Sequence, residues 1–199
     1  MERVRSRIAR DLHDEIGSNL SSIAIASDLL GRNSNIGEME RSKLSKISSV
    51  ALSTVKDMKD MVWMISPEND ELGDLLLRMK DTAATILDGK RFILRFPEHL
   101  TKRRVVLEWK RNVYLIYKEV LTNVAKHAQA TRVEIDVRAA KDRIHLVVTD
   151  NGIGFKDPRG KSGNGLQNMY ERARLLGADL TIDSRRGRGT KITLDTQIT

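Results

Sequence analysis

The sequence predicts two kinds of fold in succession, an all-α segment and then a mixed α and β domain. Apolar residues recur every three or four positions in the first part of the chain, which is the spacing of an amphipathic helix. From residue 91 onward, short stretches of alternating apolar and polar residues lie between helical stretches, as in half-buried strands. We therefore expect an α plus α/β protein, in which a helical hairpin precedes a sandwich of helices and sheet.

Composition favours a cytoplasmic globular protein that binds an anionic partner. Of the 199 residues, 40% are hydrophobic, which is enough to form a core. The absence of cysteine excludes a disulfide framework and a thiolate metal site. No apolar run reaches the roughly 20 residues that span a bilayer. The net charge of +8 favours anions such as nucleotide phosphates, whereas an aromatic content of 4% argues against nucleic acid as a partner.

The N-terminal segment is expected to fold as an antiparallel helical hairpin. A first helix ends near Leu30, residues 31–37 form a turn with glycine at both ends, and a second helix ends before Pro67. One hairpin cannot bury both of its apolar stripes, so two copies are expected to form a four-helix bundle in a homodimer. The first stripe, which we expect to be buried, consists of Val4, Ile8, Leu12, Ile16, Leu20, Ile23, Ser27 and Leu30.

The rest of the chain is expected to alternate between helices and strands. A connecting helix at residues 72–87 follows Asn69 and Asp70, either of which could cap it. The expected divisions are the hairpin at 1–68, the connecting helix at 69–90, as part of the following domain, and the α/β domain at 91–199. In that domain the patterns predict strands at 91–96, 104–109, 132–138, 143–148, 178–184 and 190–196, and helices at 110–128 and 166–176.

His13 lies at the polar edge of the first predicted helix, between Leu12 and Asp14. One turn later, Gly17 costs a helix about 1 kcal/mol relative to alanine, so its presence needs a reason. Two interpretations are open on this helix alone. Gly17 makes room for a large group that approaches His13, or it allows two helices to pack closely while His13 lies on a solvated face.

A polar stripe follows the predicted helix at residues 110–128. Glu119, Asn123 and the pair formed by Lys126 and His127 recur at helical spacing. An acid, an amide oxygen and a cation on one face could hold a hydrated Mg²⁺ ion and the phosphates that it bridges. The alternative is a solvated helix face with interacting pairs four residues apart.

Asp150 follows the apolar strand predicted at residues 143–148, and two glycines lie close behind it. Gly152 and Gly154 lie two and four residues after Asp150, and glycines of this kind let the backbone approach a ligand. A buried Asp150 could accept a hydrogen bond from an exocyclic amine and would thereby select adenine. The alternative is an ordinary turn in which the aspartate side chain ends the strand.

Two further glycine pairs lie nearer the C-terminus. Gly163 and Gly165 precede Leu166 at the start of a predicted helix, where backbone N–H groups favour an anion. The third pair, within residues 187–190, also suits a hairpin turn. Between the first and second pairs, residues 155–162 form a basic segment that is suited to covering phosphates.

The order of these motifs is more specific than any one of them. Residues 119–128 resemble the N box of the GHKL ATPases, and the three glycine motifs resemble their glycine boxes. Neither a P-loop nor the signature set of protein kinases is present. Residues 7–17, with Asp-Leu-His-Asp-Glu-Ile-Gly, resemble the phosphoacceptor motif of two-component sensor histidine kinases. The subfamily is that of nitrate- and membrane-fluidity-sensing kinases, which pair with NarL-type regulators.

This resemblance implies a Bergerat-type α/β sandwich that binds ATP and Mg²⁺. It implies that Asn123 holds the metal ion and that Asp150 recognises adenine. Glu119 matches the base that activates water in hydrolytic GHKL ATPases, so simple ATP hydrolysis is an alternative activity. The residues implied in ATP binding are Asn123, Lys126, His127, Asp150, Gly152, Gly154, Gly163, Gly165, Leu166 and Thr190.

The resemblance also implies that His13 is the phosphoacceptor of a dimeric bundle. Asp14 would orient and deprotonate the imidazole, and the phosphoryl group would pass to an aspartate of a response-regulator receiver domain. Ser18 stands where members with strong phosphatase activity carry glutamine, which argues against that activity because serine cannot position a water as an amide can. Membrane attachment is expected only through a sensor region outside this sequence. A dimeric adaptor with a vestigial nucleotide pocket is the non-enzymatic alternative.

Overall fold

The computed structural model describes residues 2–32, 36–97, 102–140, 142–156 and 163–199. The chain divides into two compact units, Met1–Asn69 and Asp70–Thr199. The first unit is helical, and the second combines helices with a sheet. In the described parts of the chain, the helices are too short or too polar to traverse a lipid bilayer.

The first unit contains the expected antiparallel hairpin. Its helices are α1 (Glu2–Asp11), α2 (Gly17–Gly31) and α3 (Glu38–Ile65), with a π-helical turn at Leu12–Ile16 between α1 and α2. The guanidinium of Arg5 donates to the carbonyl oxygen of Ile65 at 3.0 Å, so α1 lies beside the end of α3. The expected turn between the helices falls partly at residues 33–35, which lie outside the described residues.

Gly17 is buried at the contact between α2 and α3. A Cβ atom built on Gly17 would lie 2.7 Å from Cε of Met58, which is closer than two carbon atoms approach. The glycine therefore serves close helix packing within the hairpin. This contact accounts for Gly17 within the hairpin, and the interpretation that Gly17 also makes room for a group approaching His13 stays a prediction.

The first helix is interrupted where an unbroken amphipathic helix was expected. The N–H of Gly17 donates to the carbonyl oxygen of Leu12, five residues earlier, and this bond closes the π-turn. Such a turn is a one-residue insertion in an α-helix, and these insertions are frequent at functional sites. His13 and Asp14 are its second and third residues.

The π-turn aligns one apolar face across α1 and α2. In an unbroken α-helix Ile16 would lie about 120° around the axis from Val4, because each residue adds about 100°. One inserted residue cancels about 100° of this difference. Most of the stripe is exposed in the single chain, as expected for a hairpin that cannot bury its own stripes: Val4, Ile8, Ile16, Ile23 and Leu30 are 46–59% exposed. The buried positions are Ser27 of the stripe together with Ala9, Gly17 and Ala24.

The second unit contains one five-stranded sheet in the order β1-β2-β3-β5-β4. Strands β1 and β2 are parallel, and the other neighbours are antiparallel. Asp150 ends a central strand and is paired with Thr190. The strands are β1 (Arg91–Arg95), β2 (Arg132–Ala140), β3 (Arg143–Asp150), β4 (Asp179–Ser184) and β5 (Thr190–Gln197), and the helices are α4 (Leu72–Ile86), α5 (Leu107–His127) and α6 (Gly163–Leu175).

The core of this unit lies between one face of the sheet and the helices. Buried apolar residues alternate along β2, β3 and β5 with half-buried polar ones, as expected for a sheet that is covered on one face. The helices supply a second set of buried side chains, and the two sets pack together. The main buried residues of the helices are Leu72, Leu75, Leu76, Met79, Val113, Tyr117, Val120 and Leu121, and those of the strands are Val133, Ile135, Ile144 and Leu194.

The strand expected at residues 104–109 is absent. Helix α5 begins at Leu107, and Trp109 and Val113 extend its buried stripe toward the N-terminus at a spacing of four. Arg104 forms an isolated β-bridge with Glu71 and belongs to no strand of the sheet. The alternation of apolar residues here thus came from a short extended stretch followed by one face of a helix, which periodicity cannot separate over so few residues.

The cap of α4 also differs from the expectation. Glu71, and neither Asn69 nor Asp70, is the N-cap, and it forms a capping box with Asp74. The carboxylate of Asp70 is engaged elsewhere: its Oδ1 lies 2.8 Å from Nζ of Lys110, whose side chain is completely buried. This ion pair ties the start of the second unit to α5.

Replacing Lys110 by methionine is expected to destabilise the protein by about 3 kcal/mol, because it leaves the carboxylate of Asp70 buried without its cation. Chemical unfolding of the variant measures the loss. The exposed pair of Arg138 and Asp136 supplies the control, since Arg138→Met is expected to cause no measurable change. Equal stability of the Lys110→Met variant and the wild type would contradict a structural role for the buried pair.

Candidate functional site

A cavity of about 540 Å³ opens in the second unit between α5, the start of α6 and the ends of β3 and β5. It brings together most of the residues that the sequence analysis singled out. Of these, Glu119, Asn123, His127, Asp150, Gly154, Gly165, Leu166 and Thr190 line it. Its other walls are mainly apolar, from Val120, Val124, Ala128, Val148, Ile153, Phe155 and Ile192.

The polar stripe of α5 forms one wall. Glu119, Asn123 and His127 recur every four residues, so one face of the helix presents all three to the cavity. Lys126 is exposed and does not line the cavity. The carboxylate of Glu119 lies against Gly165 at the start of α6, so closely that a Cβ atom at Gly165 would overlap Glu119 Oε1. Gly165 thus gives the carboxylate its space.

The same wall has the chemistry of a magnesium site that a nucleotide completes. Glu119 and Asn123 offer oxygen ligands one helical turn apart, and Mg²⁺ prefers oxygen. Among the described residues, no group of three or more His, Cys, Asp or Glu could hold a metal ion by itself. Mg²⁺ commonly takes one or two protein oxygens and fills its shell with phosphate and water, so the residues present fit it.

Asp150 lies at the opposite side of the cavity, at the end of β3. Its Oδ1 accepts a hydrogen bond from the N–H of Gly152 at 2.8 Å, which is the strand-ending turn considered as an alternative. Burial raises the pKa of the Asp150 carboxyl, and the N–H groups of Gly152 and Thr190 partly oppose this rise. A carboxylate in such a position can accept a hydrogen bond from an amino group of a ligand. The turn and the recognition role are therefore compatible.

Asn151 anchors the loop that follows Asp150 to the start of β2. Its side-chain oxygen accepts hydrogen bonds from the N–H groups of Thr131 and Arg132, at 3.0 and 2.9 Å. Its side-chain nitrogen donates to the hydroxyl of Thr131 at 2.9 Å. This role of Asn151 was not predicted, because nothing in the sequence indicates that its partners lie about twenty residues earlier.

Two glycines are required where this loop meets the turn between β4 and β5. Gly154 has a φ angle of 56°, and a Cβ atom there would overlap the carbonyl oxygen of Arg185. Gly189 has a φ angle of 75°, and a Cβ atom there would overlap the carbonyl oxygen of Asp150. The third glycine pair is therefore a hairpin turn, and it also packs against the loop that carries Asp150.

The remaining glycine motif opens α6. The helix begins at Gly163, while Gly165 and Leu166 line the cavity. Gly152 does not line it. The basic segment expected to cover phosphates falls mainly at residues 157–162, which lie outside the described residues.

His13 and Asp14 belong to the first unit. Both lie in the π-turn, and Asp14 is exposed. The side chain of His13 is outside the described part of the structure.

Most of the apolar walls of the cavity were not predicted from the sequence. Val120 and Val124 could have been found as neighbours of the polar stripe on α5, since they follow Glu119 and Asn123 directly. Ile153 and Phe155 interleave with the glycines after Asp150 and carried no signal of their own. Their contribution to the cavity became visible only in the fold.

Comparisons with known proteins match both units. Residues 4–70 match a family described as histidine kinase, and residues 110–198 match the family of histidine kinase-, DNA gyrase B-, and HSP90-like ATPases. The chain is 30% identical to the oxygen sensor histidine kinase NreB of Staphylococcus carnosus over 100% of its length and 57% of that protein. It is also 30% identical to the sensor histidine kinase DesK of Bacillus subtilis, over 96% of its length and 50% of that protein.

A solved structure has the same fold. The histidine kinase domain of the blue-light activated histidine kinase from Erythrobacter litoralis EL346 matches with a TM-score of 0.59 at 18% identity, over 92% of this chain and 94% of that one. The chain spans little more than half the length of the two curated relatives. The two family matches together extend from the first helix to the last strand. The chain belongs to the histidine kinases and carries the ATP-binding domain that they share with DNA gyrase B and HSP90.

Proposed function

We propose that this chain binds Mg-ATP in the cavity of the second unit, transfers the γ-phosphoryl group to His13, and passes it to an aspartate of a receiver domain. The observation that carries this proposal is the cavity itself. An acid and an amide on α5, an aspartate at the end of β3 and a threonine on β5 converge there, in a chain that belongs to the histidine kinases.

The cavity divides into an adenine end and a phosphate end. Asp150, beside Thr190, accepts a hydrogen bond from the 6-amino group of adenine, while the apolar walls contact the adenine ring. Asn123, with Glu119, holds Mg²⁺, which neutralises phosphate charge. His127, which lines the cavity at the end of α5, binds phosphates, and the exposed side chain of Lys126 beside it reaches the same phosphates from the rim. At the start of α6, backbone N–H groups around Gly163, Gly165 and Leu166 favour the same anion.

Phosphoryl transfer to His13 needs a neutral imidazole. One ring nitrogen forms the new bond to the γ-phosphorus as the bond from phosphorus to the bridging oxygen of ADP breaks. The proton on the other ring nitrogen passes to the carboxylate of Asp14, which also fixes the reactive tautomer. The products are phosphohistidine and ADP. Transfer to a receiver aspartate then restores His13.

Incubation of the protein with [γ-³²P]ATP and a panel of purified receiver domains tests this proposal. We expect label to appear first on the chain and then on a receiver, with NarL-type receivers labelled fastest. A chain that binds ATP and never becomes labelled would instead support the adaptor alternative.

We further propose that the chain acts in the cytoplasm under the control of a sensor region outside this sequence.

ATP hydrolysis without phosphohistidine is the second candidate function. It is favoured by the position of Glu119, whose carboxylate lines the cavity beside Asn123, where a base could activate water. This activity would release phosphate at the same rate in the wild type and in a variant that lacks His13. It would be lost in Glu119→Ala.

We propose that the exposed apolar stripe of α1 and α2 pairs with a second copy of the chain to form a four-helix bundle. Ile23→Glu is expected to convert the dimer to a monomer, because it places a charge on this face, where Ile23 is 48% exposed. Light scattering coupled to size-exclusion chromatography measures the mass. Ser22→Glu, an exposed position about 100° around the helix, is the matched control and should remain dimeric. A dimeric Ile23→Glu variant would contradict this interface.

A further inference from the structure

Ser184 lies behind the wall of the cavity and connects two of its sides. It is the last residue of β4, is 8% exposed and does not line the cavity. Its Oγ accepts a hydrogen bond from the N–H of Phe155 at 2.9 Å and lies 2.9 Å from Oγ1 of Thr190. Phe155 and Thr190 both line the cavity. One hydroxyl therefore joins the loop after β3 to the first residue of β5.

The bonds of this hydroxyl determine how Thr190 faces a ligand. A serine hydroxyl has one hydrogen and two acceptor lone pairs. Phe155 occupies one lone pair, and the hydrogen of Ser184 has two acceptors within reach, the carbonyl oxygen of Gly189 at 3.3 Å and Oγ1 of Thr190 at 2.9 Å; we assign it to Gly189, which leaves Oγ of Ser184 as an acceptor for Thr190. Thr190 then donates its own hydrogen to the second lone pair of Ser184. This arrangement satisfies every group and leaves only acceptor lone pairs on Thr190 for the cavity.

A neighbouring backbone bond strengthens the same connection. The N–H of Gly187 donates to the carbonyl oxygen of Ile153 at 2.7 Å. The contacts at Ile153 and Phe155 therefore hold the loop on both sides of Gly154. Because Gly187 acts through its backbone, Ser184 is the side chain on which this attachment depends.

The structure assigns Ser184 as a positioning residue for nucleotide specificity, an inference that rests on the proposed ATP binding. Ser184 keeps Thr190 as a hydrogen-bond acceptor beside the carboxylate of Asp150, and it fixes the backbone of Phe155. Two adjacent hydrogen-bond acceptors favour a purine whose edge carries a hydrogen-bond donor, such as the 6-amino group of adenine. They disfavour a 6-oxo group, which places another acceptor there.

Calorimetric titration with Mg-ATP and with Mg-ITP, whose base carries a 6-oxo group, tests this inference. Ser184→Ala is expected to weaken ATP binding about tenfold and to reduce the preference for ATP over ITP. The labelling rate at saturating ATP should change less than about twofold, since no group at the reacting atoms is altered. Ser184→Thr keeps the oxygen and should restore both affinity and preference. Thr181→Ala, at an exposed position of the same strand, is the matched control and should bind as the wild type does.

Two further variants keep the test decisive. In a Thr190→Val background, Ser184→Ala should reduce the preference for ATP over ITP little further, because both changes remove the bond between the two hydroxyls. If Ser184→Ala does not fold, Ser184→Cys, whose thiol forms only weak hydrogen bonds, is expected to show the same loss of preference. An unchanged preference in these variants, or a Ser184→Thr variant as weak as Ser184→Ala, would overturn the inference. A wild type that binds neither nucleotide would overturn the proposed function as well.

The π-turn carries a second, independent inference: it is the positioning element of the phosphoacceptor, again on the proposed function. The extra residue of the π-turn keeps the apolar faces of α1 and α2 aligned. Within the turn itself, the residues are rotated about the helix axis differently from residues of a regular α-helix. Deleting Glu15, an exposed residue of the turn, removes the insertion and leaves both faces in register. It changes the rotation of His13 and Asp14 against α2.

The Glu15 deletion is expected to remain helical and dimeric and to bind ATP normally, while labelling of His13 falls on the order of 10- to 100-fold. Glu15→Ala keeps the length of the turn and should be labelled as the wild type is. A deletion variant that is labelled at the wild-type rate would overturn this inference. So would one that fails to fold or to dimerise, since the turn would then not be a removable insertion. An unlabelled wild type would overturn the proposed function.

Discussion

Replacing His13 by glutamine is expected to abolish acid-labile phosphorylation, with a loss of at least about 100-fold in label. Glutamine has an amide in place of the imidazole and cannot form a stable bond to phosphorus through a neutral ring nitrogen. ATP binding should be unchanged, because the residues proposed to bind ATP all belong to the second unit. Autoradiography after alkaline electrophoresis measures the label, and calorimetry measures the binding.

Glu15→Gln supplies the control for this prediction. Glu15 is an exposed residue of the same π-turn, and the substitution should leave labelling unchanged. Label that persists in His13→Gln would show that another residue is the acceptor. Loss of ATP binding in that variant would contradict the separation of the two sites into different units.

Replacing Asp150 by asparagine is expected to weaken ATP binding about 100-fold. The amide oxygen can still accept the hydrogen bond from Gly152, so the loop should keep its shape. The amide nitrogen is a donor, however, and would face the 6-amino group of adenine, which is also a donor. Calorimetry measures the affinity. Asp183→Asn, at an exposed acid near the end of β4, should bind ATP normally.

The same variant has a defined effect on stability. Because burial raises the pKa of Asp150 in the folded protein, wild-type stability falls as pH rises from the ordinary value of 3.8 through the raised one. Asp150→Asn removes this loss, so at neutral pH it should be at least as stable as the wild type. The difference should vanish below the ordinary pKa. Wild-type affinity in Asp150→Asn, or unfolding of the variant at neutral pH, would contradict the role assigned to this carboxylate.

Much of the cavity could be predicted because its residues carry local signals. The polar stripe on α5 follows from helical spacing, and Asp150 is marked by the strand before it and the glycines after it. A motif of this kind depends on neighbours in the sequence. Contacts between distant residues carry no such signal, which is why the bonds of Asn151 and of Ser184 were missed.

Two features of the helical unit, the contact within the hairpin and the π-turn, could not be predicted from the apolar stripe. An apolar stripe indicates which face avoids water, and it does not indicate whether that face is covered by the same chain or by another. The stripe that contains Val4 and Ile23 therefore did not show that Gly17 and Ala24 form the contact within the hairpin. The π-turn could not be predicted either, because the sequence pattern of its five residues does not differ from that of an α-helix.

The extended segment before α5 shows how tertiary pairing overrides local preference. The N–H of Val105 donates to the carbonyl oxygen of Asp70, and the carboxylate of Asp70 pairs with Lys110. These contacts anchor the start of the second unit without adding a strand to its sheet. The capping of α4 by Glu71 follows from the same arrangement, since Asp70 is already engaged.

Localisation of the phosphate tests the central proposal most directly. The protein is incubated with Mg-[γ-³²P]ATP, quenched at alkaline pH, digested, and mapped by mass spectrometry without exposure to acid. The proposed function predicts one labelled peptide, with the phosphate on His13, and loss of the label after brief acid treatment. Label on a serine, threonine or other residue, or release of free phosphate with no labelled peptide, would contradict it.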